Sequence, residues 1–137
     1  MTTPAPDGKP WYWEGHVQAT LVRWLAARHY SVVSAADTAS REAGIDVMAV
    51  APDGQELWVS AKGFPEKSRC PQARHWFAGA LFDLVFYRSQ RADVRLALAL
   101  PAGFPTYHGL LARVGWLKAS LPFTVFWVAD DGSVSEE

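Results

Sequence analysis

Ile45-Asp46-Val47-Met48-Ala49-Val50, then Ala51-Pro52-Asp53-Gly54-Gln55, then Glu56-Leu57-Trp58-Val59-Ser60-Ala61-Lys62: the reading of this stretch decides the fold. Its two ends are strand-like and its middle is a turn. Pro52 and Asp53 suit the central positions of a type I turn, and Gly54 suits the left-handed position of a bulged three-residue loop. With 52–54 as the loop, Ala51 faces Gln55 and the numbers of paired residues sum to 106. Asp46 then opposes Ser60 and Met48 opposes Trp58. On the other face Ile45 opposes Ala61, Val47 opposes Val59 and Ala49 opposes Leu57. One face is wholly apolar and the other gathers Asp46, Ser60 and Lys62. A two-residue loop would pair Asp46 with Ala61 and mix the faces, so the three-residue loop is the better reading.

Working outward, residues 11–28 are expected to form a helix, with Val17, Leu21, Trp24, Leu25 and Arg28 at three-to-four spacing and Glu14 one turn before Gln18. Pro10 suits its first turn. Residues 30–35 are a β-branched run that predicts a first strand, and 37–44 are polar and turn-like. After the hairpin, 63–71 form a loop and 71–88 a second helix. From Trp76 to Tyr87 its only charge is Asp83, and Gln72, His75 and Asp83 make one narrow polar stripe. Such a helix is expected to be buried on most sides or shared with a second copy in a homodimer. Residues 94–100 predict a buried strand, parallel to a neighbour because a helix precedes it. A further helix over 106–117 and a strand over 123–129 follow. The expected fold is α/β, a mixed sheet with helices packed on it. Residues 1–10 read as a flexible arm, 11–130 as a single domain and 131–137 as an acidic tail.

Composition narrows the function classes. The 137 residues carry 13 Lys+Arg against 14 Asp+Glu, a formal net charge of −1, so the chain is no bulk polycation and any basic patch must be local. Lys67, Arg69, Arg74 and His75 form such a patch, with no acid among them. One cysteine excludes an internal disulfide framework and fits a reducing compartment. The polar, proline-rich start does not read as a signal peptide, and no uncharged run approaches a membrane span. A cytoplasmic protein with no membrane partner is the expectation. Trp11, Trp13, Trp58 and Trp76 are expected in the core or at a subunit contact, with stacking on bases as the alternative. No zinc-ligand spacing, HExxH run or Ser/His/Asp arrangement is present.

The order helix, strand, acid- and lysine-bearing hairpin, helix, strand, together with Gly44-Ile45-Asp46-Val47 and Trp58-Val59-Ser60-Ala61-Lys62, resembles the PD-(D/E)XK nuclease superfamily. The resemblance spans roughly residues 11–101 and implies a restriction endonuclease-like αβββαβ core, here followed by a C-terminal helix and strand. It implies Mg²⁺- or Mn²⁺-dependent hydrolysis of DNA. Asp46 would be the first metal ligand, the Ala61 carbonyl a second, Lys62 the catalytic lysine and Glu14 the first-helix glutamate that holds water or metal. Gln72-Ala-Arg-His-Trp76 is close to the Gln-x-x-x-Tyr motif of RecB-type members, with Trp in place of Tyr. Gln72 would position substrate, and Lys67, Arg69, Arg74 and His75 would contact phosphates.

This chemistry needs a hard cation held by carboxylates and a positive group near the developing charge. Ser60 stands where the family carries its second carboxylate. Some members with Ser-x-Lys move that carboxylate onto the following helix, where the only acid here is Asp83. Asp83 lies about 16 Å along the helix from Gln72, so with Gln72 at the site Asp83 is expected away from it. Glu14 is the preferred compensating ligand, with Glu42 and Glu56 behind it. The alternative to a nuclease is a catalytically degenerate nucleic-acid-binding or assembly subunit of the same fold. An ordinary cross-strand ion pair is the plainest reading of Asp46 and Lys62.

Overall fold

The computed structural model describes residues 7–36 and 44–137. In chain order the elements are α1 (Glu14–Ala27), β1 (Ser31–Ala35), β2 (Val47–Val50), β3 (Glu56–Ala61), α2 (Arg69–Gln90), β4 (Arg95–Pro101), α3 (Pro105–Arg113), α4 (Leu117–Ser120), β5 (Thr124–Val128) and β6 (Val134–Glu136). The six strands form one sheet in sequence order. β1–β2, β2–β3 and β5–β6 pair antiparallel, whereas β3–β4 and β4–β5 pair parallel. The fold is therefore α/β with a mixed sheet, as the element order predicts.

The hairpin has the expected register: Val47 pairs with Val59, Met48 with Trp58 and Ala49 with Leu57. Ala51 donates to the Gln55 carbonyl at 2.9 Å and Gly54 to the Ala51 carbonyl at 2.9 Å, and Gly54 has φ 90°, the left-handed conformation the bulged loop requires. Each sheet face carries its own core. Val47, Ala49, Leu57, Val59 and Ala61 pack under Val17, Leu21 and Leu25 of α1. On the opposite face Trp58, Leu96, Leu98 and Leu100 pack under Ala73, Phe77, Ala80 and Leu84 of α2 and under Tyr107 of α3.

The hairpin departs from expectation at one end. Bonded pairs in an antiparallel ladder fall at every second position, so after 51/55, 49/57 and 47/59 the next would be Ile45 with Ala61. Instead the Ala61 N–H donates to the carboxylate of Asp46 at 2.8 Å, and the Asp46 carbonyl accepts from Ala36 at 2.8 Å. The side chain of Asp46 ends the ladder by standing in for the Ile45 carbonyl. Ile45 consequently packs with the α2-side core rather than on the apolar α1 side.

Other boundaries also move. α1 begins at Glu14, and Pro10 lies in the preceding turn, its carbonyl accepting from Trp13 at 3.0 Å. Residues 7–10 of the expected arm are tied to α1, because Asp7 takes hydrogen bonds from the Lys9 backbone at 2.9 Å and shares one with His16 at 3.1 Å. The expected acidic tail contains β6, and Trp127 donates to Glu137 at 2.7 Å. α2 is not buried on most sides: Phe82, Val85 and Phe86 are half or more exposed. No helix among the described residues is long and apolar enough to cross a membrane.

Candidate functional site

The acids meet at the C-terminal end of β3. Ser60 is fully buried and its hydroxyl donates to Asp83 of α2 at 2.7 Å. Asp46 is tied to the backbone of the next residue, Ala61. Glu14, at the first position of α1, senses the charges of Lys62, Asp46 and Asp83. Burial pushes the Glu14 carboxyl above its usual range; the nearby Lys62 ammonium pulls it back, and the two other carboxylates push it further up. Asp46 is likewise raised, chiefly by burial, against the Ala61 hydrogen bond and Lys62, with Asp83 adding to the rise. Three carboxylates thus share a half-buried corner with one lysine, which leaves two negative charges uncompensated when all are ionised.

Asp83 corrects the sequence reading, which set it aside in favour of Gln72. The separation along α2 does keep the two apart, but it is Asp83 and not Gln72 that reaches the other acids. The middle of α2 carries Asp83 to Ser60, while Gln72 at its first turns lines an adjoining cavity with Trp13. The carboxylate held by Ser60 thus comes from α2 rather than from the hairpin. Of the two weaker candidates, Glu56 lies at the opposite end of β3 and pairs with Arg91 at 3.1 Å; Glu42 lies outside the described residues.

Backbone geometry holds Glu14 beside the hairpin. A Cβ at Gly63 would stand 2.5 Å from both the Glu14 nitrogen and the Tyr12 carbonyl. Only glycine allows that approach, and Phe64 seals it by donating to the Tyr12 carbonyl at 3.0 Å. From the other side the fully buried Tyr107 donates its hydroxyl to the Gly63 carbonyl at 2.6 Å. Its phenol is pushed up by burial and then by the Glu14 charge, so it stays a donor. Tyr87, one turn beyond Asp83, faces Asp46 and Ser60 and is pushed up by burial in the same way. Gln18, nine-tenths buried, donates to the Ala36 carbonyl at 2.7 Å, and Ala36 in turn holds Asp46. Sequence reading missed Gly63, Tyr87 and Tyr107; the signal for Gly63 was its place directly after Lys62.

The donor set suits a hard cation, its charged oxygens being carboxylates with no thiol or imidazole among them. Among the described residues no three His, Cys, Asp or Glu side chains stand close enough to cage an ion by themselves. A magnesium ion needs no such cage, since it keeps several waters and takes one or two carboxylates. The Ala61 residue is buried, and its demonstrated role is the amide that fixes Asp46. The basic residues divide. Lys67 lines the cavity beside Gln72 and Trp76. Arg69 lies over the Phe64 ring at 4.8 Å and the Phe104 ring at 5.6 Å. Arg74 and His75 are exposed on α2 and do not line that cavity. Comparison with family models, with curated proteins and with solved structures finds no match.

Proposed function

We propose that this chain is a metal-dependent nuclease of the PD-(D/E)XK kind that hydrolyses phosphodiesters in DNA. The observation that carries the reading is the excess of carboxylate at the end of β3, where Glu14, Asp46 and Asp83 act on one another around Lys62. Three unlike elements expend burial on like charges there, which is costly unless a cation is to be bound. Bound Mg²⁺ or Mn²⁺ would polarise the phosphate and lower the pKa of water. Asp46 and Glu14 would be its principal ligands, and Asp83, held by Ser60, would add negative charge beside it rather than a third direct ligand. The Lys62 ammonium stands ready for charge developing on the phosphoryl oxygens. Gln72, Lys67 and Arg69 lie on the side from which a strand would arrive, and Arg74 and His75 would meet phosphates further along.

The experiment is a Mg²⁺ and Mn²⁺ titration of plasmid and linear DNA cleavage by wild type and Asp46→Ala. Metal-dependent products from wild type alone are expected. Equal, metal-independent behaviour of both proteins overturns the reading. The alternative, a non-cleaving nucleic-acid-binding or assembly subunit, is favoured by one feature: the Ser60 hydroxyl is engaged with Asp83 and offers no charge of its own. It predicts DNA retention without products. A homodimer would use the exposed Phe82, Val85 and Phe86 of α2, which sedimentation of wild type against Phe82→Glu decides.

A further inference from the structure

Next to the acid corner, the segment before α1, the segment after Lys62 and the first turns of α2 line an open cavity of about 580 Å³. That is within the roughly 300–1,000 Å³ of small-molecule sites. Trp13, Trp76 and Phe64 supply its apolar walls, and Gln72, Lys9 and Lys67 its main polar groups. We propose that this cavity seats the unpaired nucleobase of a nucleic-acid strand, with the adjoining phosphodiester over Glu14 and Lys62, so that the protein works on single-stranded or frayed ends. The placement of the phosphodiester rests on the nuclease reading above; the base seat does not.

The lining chemistry selects a flat heterocycle. The Trp76 and Trp13 indoles offer surface on which a base stacks, Trp13 with the Lys9 ammonium 5.3 Å from its ring centroid. Phe64, itself stacked on Phe104 at 4.0 Å, closes the floor, and the Gln72 amide carries the donor and acceptor that read a base edge. The cavity is not built for phosphate. Lys9 and Lys67 are balanced by Asp7 and Glu66, both also in its lining, so it has no net charge.

Position supports the same ligand. Trp13 directly precedes Glu14 and Phe64 follows Lys62 by two residues, and the Phe64-to-Tyr12 hydrogen bond locks these two segments together. A base seated beside Trp13 would therefore direct its sugar and phosphate toward Glu14, the next residue. Trp13 has the His16 ring against it at 5.1 Å as well as the Lys9 ammonium, and the other tryptophans outside the cavity are engaged or remote. Trp11 stacks on Phe104, Trp24 tilts against Phe126, Trp58 is buried against Tyr87, and Trp127 stacks on His108. Trp76 pairs with no other ring among the described residues, and Trp116 is exposed elsewhere. A base in a duplex would first have to be unpaired and unstacked, so the cavity discriminates by strandedness.

The test is binding in EDTA, where cleavage plays no part, read by fluorescence anisotropy. The probes are a short labelled oligothymidylate, a blunt duplex of equal length, and thymidine monophosphate as competitor. The oligothymidylate should bind more tightly than the duplex. Trp13→Ala, Trp76→Ala and Gln72→Ala should weaken it, the tryptophan variants by roughly 5- to 150-fold, with Trp116→Ala as the unchanged control. Thermal melts accompany each variant, and Gln72, being exposed, gives a folded variant should Trp13→Ala unfold. Wild-type affinity in Trp76→Ala and Gln72→Ala, or a preference for duplex, overturns the proposal. So does thymidine monophosphate competing as strongly as the oligonucleotide, which would make the cavity a free-nucleotide site. Strand binding of this kind without metal-dependent cleavage would sink the nuclease reading and leave the base seat standing.

Discussion

Replacing Gly63 by alanine tests how Glu14 is delivered to the site. The added Cβ meets the Glu14 nitrogen and the Tyr12 carbonyl at 2.5 Å, and both are backbone atoms that cannot rotate away. Ordinary contact begins at 3.4 Å, so the start of α1 must retreat by about 0.9 Å, the difference between 3.4 and 2.5 Å. Overpacking of this kind costs about 1–3 kcal/mol. At about 4 °C per kcal/mol for a chain of 137 residues, Tm should fall by roughly 4–12 °C. The same retreat carries Glu14 away from Lys62, and a displacement near 1 Å can cost about 100-fold in rate. Differential scanning fluorimetry and metal-dependent cleavage measure the two effects on one sample. Gly79→Ala is the control: nothing lies within 4 Å of its Cβ in α2, and alanine should stabilise the helix by up to about 1 kcal/mol. A Gly63→Ala protein with wild-type Tm and activity would refute the argument that a glycine-only backbone contact positions Glu14.

Glu14 and Asp46 make a pH prediction for the metal-free protein. Their carboxyls are raised in the folded state, so the native protein binds protons more tightly than the unfolded chain, and stability should decline as pH rises from about 4 through their folded values. Glu14→Gln and Asp46→Asn should flatten that decline and match or exceed wild-type Tm at pH 7, as a Tm–pH series would show; a steeper decline counts against buried, mutually repelling acids. Ser60→Ala should cost about 1–3 kcal/mol in urea unfolding by leaving Asp83 without its donor, whereas Ser60→Ala with Asp83→Leu should recover much of it. Additive losses in that cycle would mean the two side chains do not depend on each other. Mg²⁺ at tenfold its Kd should raise stability by about 1.4 kcal/mol, and the increment should vanish in Asp46→Asn. A metal response that survives this substitution would place the ion elsewhere.

The hairpin was legible because its information is local. Pro52, Asp53 and Gly54 specify the loop, and alternation then specifies which residues face each other, so Val47–Val59 and Met48–Trp58 follow from a few neighbouring side chains. β6 was not legible: Val134–Glu136 is only three residues long, one of them acidic, and it is a strand only because β5 offers a free edge. Ile45 was misplaced because no propensity encodes an aspartate carboxylate replacing a ladder carbonyl.

What the chain determines by itself is most of the elements and the hairpin register, which depend on contacts a few residues apart, and it offers Asp46 and Glu14 as candidate acids. Which third acid joins them was a tertiary matter. Gln72 and Asp83 occupy one polar stripe, and periodicity alone treats them alike. Only the way α2 crosses the sheet, set by Phe77, Ala80 and Leu84 packing onto β3 and β4, brings Asp83 to Ser60 and Gln72 to the cavity. The start of α1 meets the end of β3 for an equally non-local reason: Gly63 lacks the atom that would hold them apart.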